Sequence, residues 1–168
     1  WSSDVITTAR AGGNFDGPLR DIIHAFKYER RRSLARPLAH LIRSAGSDVL
    51  DGADIVVPIP LHPVRLLSRG FNQASDLAKH LPLPVVGALW RTRRTPSQSG
   101  TSGAERRRNV RHAFTVSPLL SRSVRERCLQ DKVVVLVDDV RTTGATLNAC
   151  ARTLLDAGVR EVRALTAA

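Results

Sequence analysis

The run KVVVLVDD, residues 132–139, constrains the fold more than any other part of this chain. Val133 to Val137 form an unbroken apolar run, so both faces of whatever they form must be covered. That pattern predicts a strand in the interior of a sheet with helices on either side. Asp138 and Asp139 then stand at its carboxyl end, where open α/β sheets bind their ligands. A turn rich in hydroxyls, VRTTGAT, comes next. After it Leu147, Cys150, Ala151, Leu154 and Leu155 trace one helical face, which Gly158 stops.

The remaining segments fit the same plan. GPLRDIIHAFKYERR places Leu19, Ile22, Ile23 and Phe26 at helical spacing, with Pro18 in the first turn, after a loose lead. SLARPLAHLIRSAG predicts a second helix, with Ser33 as its N-cap, Pro37 in the opening turn and Gly46 as its stop. DIVVPIP reads as a buried strand, LHPVRLLSRG as a loop, FNQASDLAKHL as a helix and LPVVGALW as a strand. RTRRTPSQSGTSGAERRRN is a long polar connection, AFTVS a short strand, LLSRSVRERCL a helix or irregular arm, and EVRALTA a last strand. Strands alternating with helices predict one α/β domain over residues 1–168, built on a parallel sheet with a small helical portion at its N-terminal side. Phe71, Trp90 and Phe114 are expected in the core.

Composition excludes several classes. No stretch reaches the roughly 20 apolar residues of a membrane span, and no apolar signal core opens the chain, so a cytoplasmic protein without membrane insertion is expected. Cys128 and Cys150 lack the spacing of a metal site or a disulfide framework. The chain has no methionine, which points to a trimmed piece of something longer. Its net charge of +11 is unevenly spread. Residues 91–127 hold ten arginines against two acids, while residues 128–168 balance five cations with five acids. Arginine's planar fork suits phosphate groups, so partners bearing phosphate are expected. The excess of 23 arginines over 3 lysines across the chain fits genomic base composition, which leaves the clustering unexplained.

Two acids beside a phosphate-seeking turn present a contradiction, because carboxylates repel phosphate. A sugar phosphate resolves it: vicinal hydroxyls donate to the carboxylates while the phosphate sits in the next turn, on amides at a helix start. Thr142, Thr143 and Thr146 offer hydroxyls there, and Gly144 lets the backbone approach closely. Competing motifs fail on spacing. A Walker loop needs a lysine where Ala145 stands, and a dinucleotide fingerprint needs three glycines where there is one. A receiver domain carries its acid pair early, whereas 29 residues follow Asp139 here.

On these residues the chain resembles the type I phosphoribosyltransferases, whose phosphoribosyl pyrophosphate motif VVVLVDDVRTTGAT matches. HAFKYERRRSLARPLA, VVPIPLHPVRLLSRGFNQASDLA and TPSQSGTSGAERRRNVRHAF narrow the resemblance to the ComF subgroup, from about Phe15 onward, and RGFNQ is its most specific piece. The resemblance implies a type I phosphoribosyltransferase fold. It implies that Asp138 and Asp139 are the active-site acids holding the ribose hydroxyls, and that Arg141, Thr142, Thr143, Gly144, Ala145 and Thr146 wrap the 5-phosphate. It puts Leu61, His62, Arg65 and Arg69 at the pyrophosphate, and Arg91, Gln98, Arg106 and Asn109 on a flexible closing loop. Lys27 and Tyr28 stand at the margin of this set, and no catalytic role is assigned to His62.

Mg²⁺, held through the ligand's phosphates with no dedicated protein ligands, is the implied ion. Phosphoribosyl pyrophosphate or a related sugar phosphate is the implied ligand, and the acceptor is open. Single-stranded DNA and competence machinery are the further implied partners, in a role in DNA uptake. A non-catalytic single-stranded-DNA-binding protein on the same fold is the alternative, although aromatics at 4% make a thin stacking platform. Two departures from the subgroup stand out: these 168 residues carry no cysteine-rich zinc module, which agrees with a trimmed piece or a real absence, and Thr101 replaces a usual leucine.

Overall fold

The computed structural model describes residues 5–92 and 113–168. Its centre is β5 (Val133–Asp138), where Val133 to Val137 are all buried. Each such side chain contributes on the order of 1.5–3 kcal/mol on leaving water. Beside β5 run β6 (Glu161–Thr166) and β2 (Ile55–Pro58), both parallel to it, and the sheet order is β1-β6-β5-β2. The parallel sheet expected from the sequence is therefore present.

The sheet has two apolar layers, as the alternation of side chains along a strand requires. On one face Val134 and Leu136 pack with Leu147, Cys150 and Leu154 of α7 (Ala145–Asp156). On the other, Val135 and Val137 meet Ile23 and Phe26 of α1 (Gly17–Tyr28), and Leu38 and Ile42 of α2 (Ala35–Ala45). The short α3 (Ser47–Leu50) follows directly and buries Val49 and Leu50.

Several sequence expectations need correction. The lead is not loose: β1 (Ala9–Ala11) adds to the edge of β6, with Ala9 opposite Ala164. Three residues without a β-branched side chain leave no period to read. Ser33 does not cap α2. It lies inside a 3-10 turn, Arg32–Leu34, and Leu34 takes the cap position without a side-chain bond. The turn is decided by distant partners, since Arg32 reaches Asp76 and Leu34 packs on the core.

LHPVRLLSRG is not a loop but contains α4 (Pro63–Arg69). His62 Nδ1 accepts from the Val64 amide at 3.3 Å, Pro63 opens the first turn, and Gly70 at φ +80° ends it. Its apolar residues face solvent, with Leu67 84% exposed, so no buried stripe marks it as helical. LPVVGALW yields only the start of β3 (Leu89–Arg91), plus an isolated parallel bridge of Val85 to Val56. Pro84 has no amide to extend that pairing. β3 instead pairs antiparallel with β4 (Phe114–Val116) in a separate small sheet. The segment 119–129 contains a helix, α6 (Arg122–Leu129), capped by Ser121 Oγ.

Phe71 and Phe114 are buried as expected, but Trp90 is not: 39% of it is exposed. It stands on the outer side of β3, beside a groove of about 400 Å³ that Leu61, Leu66, Phe71 and Leu119 also line.

Candidate functional site

Parallel pairing carries β2 and β5 to the same edge, with Pro58 level with Val137. The segment from Ile59 to His62 and the turn from Asp139 to Gly144 therefore leave the sheet side by side. This is the crevice at the carboxyl ends where such sheets bind ligands. Leu61 and His62 lie at its rim, half-buried.

The two acids diverge, because consecutive residues of a strand point to opposite faces. Asp139 turns toward the α1 side, where its Oδ1 lies 3.1 Å from Lys27 Nζ and only 11% of its side chain is exposed. Asp138 is level with Thr166 of β6 and lies on the α7 side, near Cys150 and Arg91. Burial, and then the neighbouring charge of Asp139, push the Asp138 carboxyl up to about 8, while the amide of Asp139 at 2.9 Å and Lys27 pull the other way. Part of Asp138 remains accessible, and Asp139 is buried. Of the two, Asp139 is committed to an ion pair and Asp138 is the less enclosed residue, which leaves Asp138 to meet a ligand. The acid after it is engaged with a lysine that the sequence placed only at the margin.

The backbone of this corner is pinned. The carbonyl of Asp139 accepts from the amides of Ala167 and Ala168 at 3.1 and 3.2 Å, and the Arg141 amide donates to Ala168 at 2.7 Å. Thr142 and Thr143 are exposed, and Thr143 Oγ1 accepts from the Ala145 amide at 3.4 Å. Gly144 precedes the helix at φ +70°, a left-handed conformation that side chains disfavour. α7 starts at Ala145, so the amides of Thr146 and Leu147 have no acceptor within their own helix. Arg141 folds back over the turn, its Nε 3.5 Å from where a β-carbon on Gly144 would lie. Amides, hydroxyls and the positive end of a helix dipole thus converge about one turn from Asp138. Together they are suited to a phosphate group.

Cations gather on the other side. Burial, and next the like charge of Arg65, pull Arg91 below the usual arginine value, with Cys150 and Asp138 acting in the opposite sense. Arg65 of α4 and Arg91 of β3 are therefore near enough to repel, which is the electrostatic setting that an anion relieves. Arg91 also lies 5.3 Å from the centre of the Phe114 ring. Arg69 has local partners: it stacks on Tyr28 at 5.3 Å and donates to Gln73 Oε1 at 3.2 Å. Gln98, Arg106 and Asn109 lie outside the described residues.

RGFNQ, the most specific piece of the sequence resemblance, supports this corner from below. Gly70 ends α4, and Phe71 packs on Phe26 at 5.7 Å. Asn72 caps α5 (Gln73–Ala78) and also bonds Ile59. Buried Gln73 donates to the Lys27 carbonyl at 3.5 Å. Nearby, the buried Asp76 receives both arms of Arg32, at 2.7 and 2.9 Å, and Lys79 at 3.1 Å. Burial raises the Asp76 carboxyl, but those hydrogen bonds and charges together outweigh it and hold it below the usual range. Sequence reasoning missed Asp76 and Gln73, whose polar types in an amphipathic helix look like solvent-facing positions. The one available signal was their place just after the cap, Gln73 next to it and Asp76 one turn on, on the side of the apolar stripe.

Volume alone does not mark the site. A groove of about 590 Å³ lies at the far end of α7, lined by Arg125, Arg152 and Asp156 among others. Among the described residues no group of three or more His, Cys, Asp or Glu side chains is placed to hold a metal ion, and no helix is long and apolar enough to cross a membrane.

The family model for the phosphoribosyl transferase domain matches residues 20–168. Competence protein F of Haemophilus influenzae is 32% identical over 161 residues, covering 90% of this chain and 68% of that protein. The DNA utilization protein YhgH of Escherichia coli K12 is 33% identical over 159 residues, covering 87% and 65%. Competence protein ComFC of Bacillus subtilis is 30% identical over 148 residues, covering 86% and 56%. The chain thus spans about two thirds or less of these relatives' lengths. With its parallel sheet, its strand-acid-turn-helix corner and these relatives, the chain belongs to the phosphoribosyl transferase domain family and, within it, to the ComF group.

Proposed function

We propose that this chain binds phosphoribosyl pyrophosphate with Mg²⁺ and serves DNA uptake, transferring the phosphoribosyl group to an acceptor that the site does not name. One observation carries the reading: Asp138 at the end of β5 is followed within one turn by a left-handed Gly144 and the first-turn amides of α7. A ribose 5-phosphate has a diol for the first and a phosphate for the second.

In such a reaction the sugar becomes oxocarbenium-like as pyrophosphate leaves, so the protein's work is to steady negative charge on the leaving group. Arg65 and Arg91 supply it from α4 and β3. Thr142, Thr143, Thr146 and the helix-start amides orient the 5-phosphate, and the pinned backbone of 139–141 keeps the two anchor points at a fixed separation. Mg²⁺, when bound, adds further charge neutralisation. Such an ion would be carried on the ligand's diphosphate oxygens and water, which require few protein ligands.

Thermal unfolding tests the proposal. Phosphoribosyl pyrophosphate with Mg²⁺ at a hundred times its Kd should add about 2.7 kcal/mol of stability, a rise of several degrees. The double change Asp138→Asn, Asp139→Asn should abolish that rise. A parent protein whose melting temperature ignores the ligand overturns the assignment.

A second reading is favoured by a different observation, the ten arginines of residues 91–127, together with relatives named for competence and DNA utilization. A non-catalytic single-stranded-DNA-binding protein would use that segment as a sequence-independent phosphate contact. Affinity for an oligonucleotide should then fall steeply with salt, and Arg106→Ala, Arg107→Ala and Arg108→Ala together should flatten the slope by up to about 2. An unchanged slope removes the segment from DNA binding.

A further inference from the structure

The puzzle of two acids beside a phosphate turn has a structural answer in Lys27. Its Nζ is 3.1 Å from Asp139 Oδ1, with 18% of the lysine side chain and 11% of the aspartate side chain exposed, so the pair is little screened by solvent. The lysine is held on several sides. Phe26 before it is fully buried against Phe71. Tyr28 after it carries Arg69 on its ring, and the carbonyl of Lys27 accepts from Gln73. Arg69, Phe71 and Gln73, all within RGFNQ, thereby fix the end of α1. A lysine on a free helix end would sample many rotamers; this one is committed to a single partner.

We propose that Lys27 is a positioning residue of the phosphoribosyl site, holding Asp139 on the α1 side and cancelling its charge so that Asp138 alone meets the sugar diol. The inference rests on the reading of this corner as a phosphoribosyl pyrophosphate site. The charged and titratable groups facing the two acids are Lys27 from α1, Arg91 from β3 and Cys150 from α7. Burial favours the neutral form of Asp138, while Asp139 and Lys27 are closed into an ion pair. The acids therefore present less negative charge to a phosphate in the next turn than two free carboxylates would. A protonated Asp138 also offers one donor and one acceptor, which suits a vicinal diol in which one hydroxyl gives and the other takes. RGFNQ, with no direct contact to the acids, acts on them through this lysine.

Lys27→Gln, Lys27→Met and Lys27→Arg test the proposal by two measurements on the whole chain. Calorimetric titration at pH 7 with phosphoribosyl pyrophosphate and Mg²⁺ should show Kd raised about tenfold or more in Lys27→Gln and Lys27→Met, with Lys27→Arg near the parent. Carboxyl NMR should show the Asp138 titration moving upward in the first two and not in the third, because Lys27 is one of the charges that lower it. A purely structural lysine would weaken folding in all three variants without raising Kd in those that fold. A folded Lys27→Gln that binds and titrates like the parent overturns the inference and leaves the site assignment standing. A parent that does not bind the ligand overturns both.

Discussion

Asn72 and Ile59 are joined by a hydrogen bond of 2.9 Å from Asn72 Nδ2 to the Ile59 carbonyl, while Asn72 Oδ1 accepts from the Ala74 amide at 3.1 Å. One side chain thus caps α5 and ties it to the residue that follows β2, two positions ahead of Leu61.

Replacing that side chain should cost both bonds. Asn72→Ala is expected to lower stability by about 2–3 kcal/mol, the sum of a lost cap and a lost buried bond. Asn72→Asp keeps the cap acceptor but loses the donor, so it should also destabilise, by less than the alanine change. Urea unfolding with an unchanged m-value measures both, and a midpoint in Asn72→Ala equal to the parent's would remove the tie from the account.

Asp138 carries a cost that depends on pH. Its folded value of about 8 lies above the ordinary 3.8, so the folded chain holds a proton there that the unfolded chain has released. Stability from this group is complete below about pH 4 and lost progressively as pH rises to about 8. Asp138→Asn removes the decline. Its unfolding free energy should match the parent's near pH 4 and exceed it at pH 9 by about 1–3 kcal/mol, after allowance for solvent at the crevice, with a correspondingly higher melting temperature. The same variant should lose ligand-induced stabilisation, so stability and binding move in opposite directions.

Gly144 sits at φ +70°, and a β-carbon added there would lie 3.5 Å from Arg141 Nε, an ordinary contact distance. Gly144→Ala should therefore suffer mainly from backbone strain, about 1 kcal/mol. The larger effect is expected on the ligand, because the turn's amides shift with the backbone. Phosphoribosyl pyrophosphate affinity should drop more than stability does. Equal binding by a folded Gly144→Ala would place the phosphate elsewhere.

Thr166, level with Asp138 across the sheet, is fully buried, and its hydroxyl has no hydrogen-bond partner among the described residues. A buried hydroxyl without a partner costs about 1–3 kcal/mol. Thr166→Val keeps the shape and should raise the melting temperature of the free protein. A fall instead would mean that the hydroxyl is satisfied in solution.

How far the sequence alone reached follows from where each signal resides. The strand 133–138, its flanking helices and the parallel order around it were legible, because burial of both faces leaves an unbroken apolar run and helices on its two sides a repeating stripe. The turn at 141–146 was legible for a local reason too, since a left-handed glycine and hydroxyls at a helix start are properties of adjacent residues. Exposed α4, three-residue β1 and the turn at Ser33 were not, as none carries a buried period. The role of each acid was decided only by tertiary structure. Adjacent positions look equivalent in a string, but strand alternation sends Asp138 toward α7 and Asp139 toward α1, where a lysine distant in sequence waits. Charge pairing depends on distance in space, and only the packed chain sets that distance.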